Sequence, residues 1–180
     1  MDCKSIFLIS VMCSLELVQF SESAQGKNRH IRSAFCGWIK TNRCLMKIGS
    51  YSGSTIRTKV SIDGAYTTDP ATRFTIVTIK NSSGMKRGKC IQFSTNSKVK
   101  YALRVVTMSN IIFEKQQNGC HDNISDDFVF KESRIRSKNS FTYTYNSKCL
   151  AARKDGTLFL KTTNDPSNEQ QCKYTHLRYT

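Results

Sequence analysis

Phe128-Val129-Phe130-Lys131-Glu132, then Ser140-Phe141-Thr142-Tyr143-Thr144-Tyr145, then Leu150-Ala151-Ala152-Arg153-Lys154-Asp155-Gly156-Thr157-Leu158-Phe159-Leu160, is the stretch that decides the fold class. Phe128, Phe130, Phe141, Tyr143, Tyr145, Leu158 and Leu160 recur with period two, which puts alternate side chains on one face of a strand. Asp155-Gly156 supplies residues tolerant of positive φ between two such runs, the signature of a tight hairpin.

Working outward, short β-rich runs recur through the chain: Phe35–Trp38, Cys44–Ile48, Ile56–Ile62, Phe74–Ile79, Cys90–Phe93, Tyr101–Val106, Ile111–Phe113, Phe128–Glu132, Phe141–Tyr145, Cys149–Ala152, Thr157–Leu160 and Lys173–Leu177. Turn-rich pieces separate them, among them Asp63-Gly64, Asn81-Ser82-Ser83-Gly84, Asn118-Gly119 and Asn164-Asp165-Pro166-Ser167. No amphipathic helix is evident. The expectation is an all-β domain, a closed barrel or a sandwich, in which short strands leave few open edges.

Residues 1–24 read as a cleaved signal peptide: Lys4 is a weak positive start, an apolar run follows from Ile6 to Val18, and small residues lie at Ser21 and Ser23. That run is shorter than the roughly 20 residues needed to span a bilayer, and no later run is apolar enough, so no membrane insertion is expected. Residues 25–33 are polar and basic and read as a flexible arm, with the folded domain spanning 34–180. The full chain carries 28 Lys and Arg against 13 Asp and Glu, net +15. Without residues 1–24 it carries 27 against 10, net +17. Charge of that size attracts polyanions with strong salt dependence. For a secreted chain the polyanion is a sulfated glycosaminoglycan rather than nucleic acid.

Cys36, Cys44, Cys90, Cys120, Cys149 and Cys172 remain after such cleavage and admit fifteen disulfide connectivities. Cys36 with Cys44, and Cys149 with Cys172, are the pairs that chain proximity suggests. The cysteines lack the closely spaced pairs of a zinc site, so no metal and no cofactor are expected. No nucleophile or zinc-hydrolase motif occurs, and His30, His121 and His176 are widely separated, so the chain is expected not to be an enzyme. A small basic ribonuclease built on His121 and His176 is the enzymatic rival. Asn81-Ser82-Ser83 and Asn123-Ile124-Ser125 are N-glycosylation sequons in loop contexts, at Asn81 and Asn123.

The order Phe-Val-Phe-Lys-Glu at 128–132, Thr142-Tyr143, Leu150-Ala151-Ala152-Arg153-Lys154-Asp155-Gly156 and Thr175-His176-Leu177 resembles the last third of a fibroblast growth factor, divergent and closest in character to viral, baculovirus or invertebrate members. Arg32-Ser33-Ala34-Phe35-Cys36, Leu45-Met46-Lys47-Ile48, Gly88-Lys89-Cys90-Ile91 and Lys100-Tyr101-Ala102-Leu103 resemble earlier strands of that family. The resemblance implies a β-trefoil of twelve short strands. It further implies a secreted ligand that binds and activates a receptor tyrosine kinase with heparan sulfate as co-receptor, promoting proliferation or migration. Phe128 stands where the family often has cysteine, and Asn164-Asp165-Pro166-Ser167-Asn168-Glu169 replaces its glycine-rich basic heparin loop. An interleukin-1-like trefoil cytokine and a non-signalling glycosaminoglycan-binding decoy are the alternatives.

By the same resemblance Phe35, Glu132 and Tyr143 match receptor-contact positions, aromatic anchors with a carboxylate. Heparin-binding candidates are Arg153, Lys154, Lys161, Lys173 and Arg178, with Lys86, Arg87 and Lys89 as a second basic cluster.

Overall fold

The computed structural model describes residues 26–35, 44–135 and 140–178. These residues form an all-β structure of twelve strands with no α-helix. The strands are β1 (Lys27–Ser33), β2 (Leu45–Ile48), β3 (Arg57–Gly64), β4 (Phe74–Lys80), β5 (Lys86–Ser94), β6 (Lys100–Thr107), β7 (Asn110–Lys115), β8 (Lys131–Ile135), β9 (Ser140–Tyr145), β10 (Lys148–Ala152), β11 (Leu158–Thr162) and β12 (Tyr174–Arg178). The segments expected as signal peptide, and Cys36–Trp38, lie outside the described residues.

Two rings of pairing close the sheet. One runs β1-β2-β3-β7-β6-β5-β4 and returns to β1 through Lys27↔Ile76 and Arg29↔Phe74. The other joins β1, β4, β5, β8, β9 and β12, with β12 returning to β1 over Arg29↔Arg178 to Ser33↔Tyr174. One of its two narrow joints, beside Tyr174↔Phe141 of β9–β12, is β5 to β8, a single bridge in which Lys89 N–H donates to the Phe130 carbonyl (2.7 Å) and Phe130 N–H to the Lys89 carbonyl (2.8 Å). Gly88 makes that approach possible. A Cβ there would lie 2.6 Å from the Phe130 carbonyl oxygen and 2.6 Å from Val129 Cγ1.

Hairpins β2–β3, β6–β7 and β10–β11 stand off the six-strand ring and lock to one another. Ile62 N–H donates to the Gly156 carbonyl (2.7 Å), Leu160 N–H to Met108 (2.7 Å) and Lys115 N–H to Ile56 (2.8 Å). Gly156, at φ 86°, makes the β10–β11 turn that Asp155-Gly156 predicts.

A threefold repeat accompanies this pairing. Short 3-10 turns at Pro70–Thr72, Asp126–Phe128 and Gln170–Cys172 each follow a hairpin. In each, the third residue's N–H reaches back to the residue before the turn and the next N–H to the turn's first carbonyl. Two residues after the turn's end stands a fully buried ring: Phe74, Phe130, Tyr174. They join Phe93, Phe113, Tyr101 and Tyr143 in the main core, where Phe74 and Phe113 stack at 5.3 Å. Two smaller clusters flank it, each holding a disulfide, Cys90–Cys120 and Cys149–Cys172. Cys44 is disulfide-bonded too, and Cys36, the partner expected for it, lies outside the described residues.

Three expectations need correction. Residues 27–33 are not an arm but β1, paired to both β12 and β4, so the domain begins before Ala34. The run Phe128–Glu132 is not one strand: Phe128 ends a 3-10 turn and packs in the Cys90–Cys120 cluster, and β8 starts at Lys131. Phe35 lies in the turn after β1, not in a strand.

Gly88→Ala is expected to cost about 1–3 kcal/mol by crowding the β5–β8 joint, measured by urea unfolding. A variant as stable as the parent would mean the joint opens freely.

Candidate functional site

The registers fix which residues face into the six-strand ring. Because Ile31 pairs with His176 and Arg29 with Arg178, alternate residues Lys27, Arg29 and Ile31 share a face with Tyr174, His176 and Arg178. By the same logic Phe74 and Ile76, Lys89 and Ile91, Phe130, Glu132 and Arg134, and Phe141 and Tyr143 look the same way. Midway along the strands these positions hold buried apolar rings and aliphatics. Toward one end they turn charged. Lys27 and Arg29 from β1, Lys89 from β5, Glu132 and Arg134 from β8, and His176 and Arg178 from β12 line a cavity of about 360 Å³, with Ile76 and Phe141 completing its wall. All six strands of the ring contribute, so the cavity is the open mouth of the barrel.

Five cations face one carboxylate in that mouth. Elsewhere acidic groups are taken up locally: Glu114 by Arg57 and Arg104, Asp126 by Arg87, Asp69 by Lys47, Glu169 by Lys161. None of these ion pairs engages Lys27, Arg29, Lys89 or Arg178. Burial lowers the Lys89 ammonium's pKa, Glu132 opposes that, and Lys86 and Lys27 add to the lowering. The same ammonium donates to Thr78 Oγ1 at 2.6 Å.

His176 shows the field most clearly. Burial first, then the charges of Arg29, Lys89 and Lys27, push its pKa from 6.5 down to about 4. A neutral imidazole therefore stands in a basic mouth at physiological pH, its Nε2 hydrogen-bonded to the Tyr143 hydroxyl and its ring stacked on Phe141 at 4.2 Å. Burial first, then the Glu132 charge and its hydrogen bond with the Tyr143 hydroxyl, drives the phenol well above its usual range, so Tyr143 stays protonated.

The sequence-level candidates scatter over this frame. Glu132 lies in the mouth, partly exposed. Tyr143 is fully buried and Phe35 is 7% exposed, so neither presents a ring to a partner, correcting their assignment as receptor anchors. Arg178 and Lys89 reach the mouth. Arg153 and Lys154 occupy the exposed β10–β11 turn, where Arg153 lies over the Phe159 ring at 4.5 Å. That turn packs on β3 among the hairpins, away from the mouth. Lys161 donates to Glu169 at 2.7 Å and Lys173 is buried, so the five do not form one heparin face. Of the second basic cluster, Arg87 diverges from Lys89 and pairs with Asp126 on the outer wall, whereas Lys86 lies near enough for its charge to act on Lys89. His121, in the loop after β7, is not among the mouth residues, which separates it from His176. Asn123 is exposed, whereas Asn81 is half-buried, its Oδ1 accepting from Ser83 and Met85 N–H. Among the described residues no group of three or more His, Cys, Asp or Glu is placed to hold a metal ion. His176 was weighed only as half of a ribonuclease pair with His121, and Lys27, Arg29 and Arg134 are the residues that sequence reasoning passed over. Their signal is alternation, Lys27/Arg29/Ile31 and Glu132/Arg134, read as strand rather than as polar linker.

No family model matches the chain, and no curated protein sequence matches it. Among solved structures it superposes on a salivary protein from Culex quiquefasciatus of the Cysteine and Tryptophan-Rich family, with TM-score 0.54 and 13% identity over 86% of this chain and 94% of that one. It also superposes on a mosquitocidal holotoxin, with TM-score 0.57 and 9% identity over 87% of this chain and 18% of the toxin, so it spans under a fifth of that protein. At such identities the likeness is one of fold alone.

Because the folded value for His176 lies below its unfolded value, the unfolded chain takes up the proton first. Its contribution to stability is full above about pH 6.5 and is lost as pH falls toward 4. His30, also held low by burial, acts in the same direction. An NMR titration of His176 should show a midpoint near 4, and His176→Gln should flatten part of the stability slope between pH 6.5 and 4. A midpoint near 6.5 would refute the buried, cation-ringed environment.

Proposed function

We propose that this chain is a secreted β-trefoil whose barrel mouth binds a sulfated polysaccharide of the heparan sulfate type. The trefoil reading is supported by the six-strand ring, the three hairpins that lock together, and the thrice-repeated 3-10 turn followed by a buried ring. Secretion is supported by the disulfides Cys90–Cys120 and Cys149–Cys172, since such bonds persist in oxidising compartments. One observation carries the ligand: Lys27, Arg29, Lys89, Arg134 and Arg178, distant in sequence, converge on one cavity against the single carboxylate of Glu132. Sulfates displace condensed counterions from such a cluster just as phosphates do. The net charge of +15 draws the polymer in from a distance. On this reading the chain acts by binding and not by catalysis, in line with a glycosaminoglycan-binding module or decoy.

A second reading keeps the fibroblast growth factor resemblance and makes the chain a receptor tyrosine kinase ligand with heparan sulfate as co-receptor. Glu132 favours it, since this carboxylate is partly exposed beside the cationic mouth and could meet a receptor and a glycan together. The burial of Phe35 and Tyr143 removes the two aromatic anchors and puts it second. The interleukin-1-like alternative has no observation of its own.

Arg29→Ala with Arg178→Ala should lower the salt concentration that elutes the protein from heparin, and by more than Arg153→Ala with Lys154→Ala. Equal elution of both doubles would move the glycan site off the mouth. Receptor phosphorylation in cells treated with the protein, lost when their heparan sulfate is digested, would restore the growth-factor reading to first place.

A further inference from the structure

The mouth has features that a strip for a long polymer does not need. Its walls are a closed ring of strands, and beneath it the inward positions are filled by Ile31, Ile91, Tyr143 and Tyr174, all fully buried. The cavity is therefore blind, and a chain cannot thread it. Its volume of about 360 Å³ falls near the lower end of the roughly 300–1,000 Å³ typical of small-ligand sites. The cations come from β1, β5, β8 and β12 and so encircle the opening instead of lining up along one strand. On one side Phe141 and His176 stack on each other at 4.2 Å, giving a stretch of wall with little charge. Glu132 stands among the cations as the one group that repels an anion and accepts a hydrogen bond from a hydroxyl.

Building on the polyanion reading of the same site, we infer that the mouth takes one compact ring end-on, a ring bearing several sulfate or phosphate groups and keeping at least one free hydroxyl. The anionic groups would point outward to Lys27, Arg29, Lys89, Arg134 and Arg178. An uncharged part of the ring would rest against the Phe141–His176 pair, and a hydroxyl would donate to Glu132. The shared chemistry has two sources, the sulfated end of a glycosaminoglycan chain or a free phosphorylated cyclitol. A fully substituted ring is disfavoured, because one of its anionic groups would have to meet Glu132.

Isothermal titration and NMR with the intact protein test this using a trisulfated heparin disaccharide, inositol tetrakisphosphate, inositol hexakisphosphate and long-chain heparin, with inorganic sulfate at matched ionic strength as control. The expected result is one-to-one binding of the disaccharide or the tetrakisphosphate, whichever binds tighter identifying the source. His176 should then titrate at higher pH in the complex, because the bound anion offsets the surrounding cations. Arg29→Ala and the exposed rim variant Lys27→Ala should each weaken binding, the former about tenfold, equivalent to about 1.4 kcal/mol. Glu132→Gln should tighten the hexakisphosphate several-fold while leaving the protein folded. Binding of long heparin without either compact ligand would overturn the end-on site and leave the polysaccharide reading standing. Binding of none of them would remove both.

Discussion

The structure depends on one narrow joint, the pair of main-chain hydrogen bonds between Lys89 and Phe130 that ties β5 to β8. The β9–β12 joint, with the single register pair Tyr174↔Phe141, is as short in register, and the other four joints are ladders of three to six pairs, against the lone bridge of β5–β8. Here only two bonds close the circle, and Gly88 is there because any side chain would strike the Phe130 carbonyl and Val129. The same joint places Lys89 at the rim and the Phe130 ring in the core. Closure and site are therefore built by consecutive positions of the same strands. A barrel that failed to close at this point would also scatter the charges around its mouth.

Along each strand of the ring the inward positions change character with depth. β12 runs from buried Tyr174 through His176 to exposed Arg178, and β1 from buried Ile31 through Arg29 to exposed Lys27. The apolar end gains its stability by burying aromatic area, at roughly 25 cal/mol per Å². The charged end gains nothing of that kind, and like charges there repel. Such a concentration is a cost to folding, and it is retained where the folded protein has a use for it. The Cys90–Cys120 and Cys149–Cys172 disulfides lie in the flanking clusters, so they tie strands together outside the main core.

Period-two alternation made most strands legible in the sequence: Phe74–Ile79, Tyr101–Val106 and Phe141–Tyr145 were expected almost as they stand. The Asp155-Gly156 hairpin and the Cys149–Cys172 pair were legible as well. β1 was not, because its inward residues near the mouth are Lys27 and Arg29, and a strand with cations in place of aliphatics reads as a solvated arm. The threefold repeat was hidden for another reason. Its only constant is a buried ring after a short turn, and Phe74, Phe130 and Tyr174 are unevenly spaced with dissimilar neighbours. As for the site, Glu132, Lys89 and Arg178 were each singled out, yet as members of three separate groups. What joins them is strand register, which depends on pairings between distant segments. Tyr143 and Phe35 were assigned as contacts by motif resemblance, and a matched motif does not say whether its ring is buried, as both are here.

The pairing of β1 with β12 carries a practical lesson about the ends of the folded unit. Lys27 opens the first described strand and Arg178 closes the last, and both stand on the lip of the same cavity. Whatever is joined to either end therefore emerges beside the opening. An acidic epitope tag at one terminus could fold back and mimic a ligand, and a polyhistidine tag could add its own charge to the lip. Labels for surface immobilisation or imaging belong instead on the hairpin side, at the exposed β10–β11 turn, which leaves the opening facing solution.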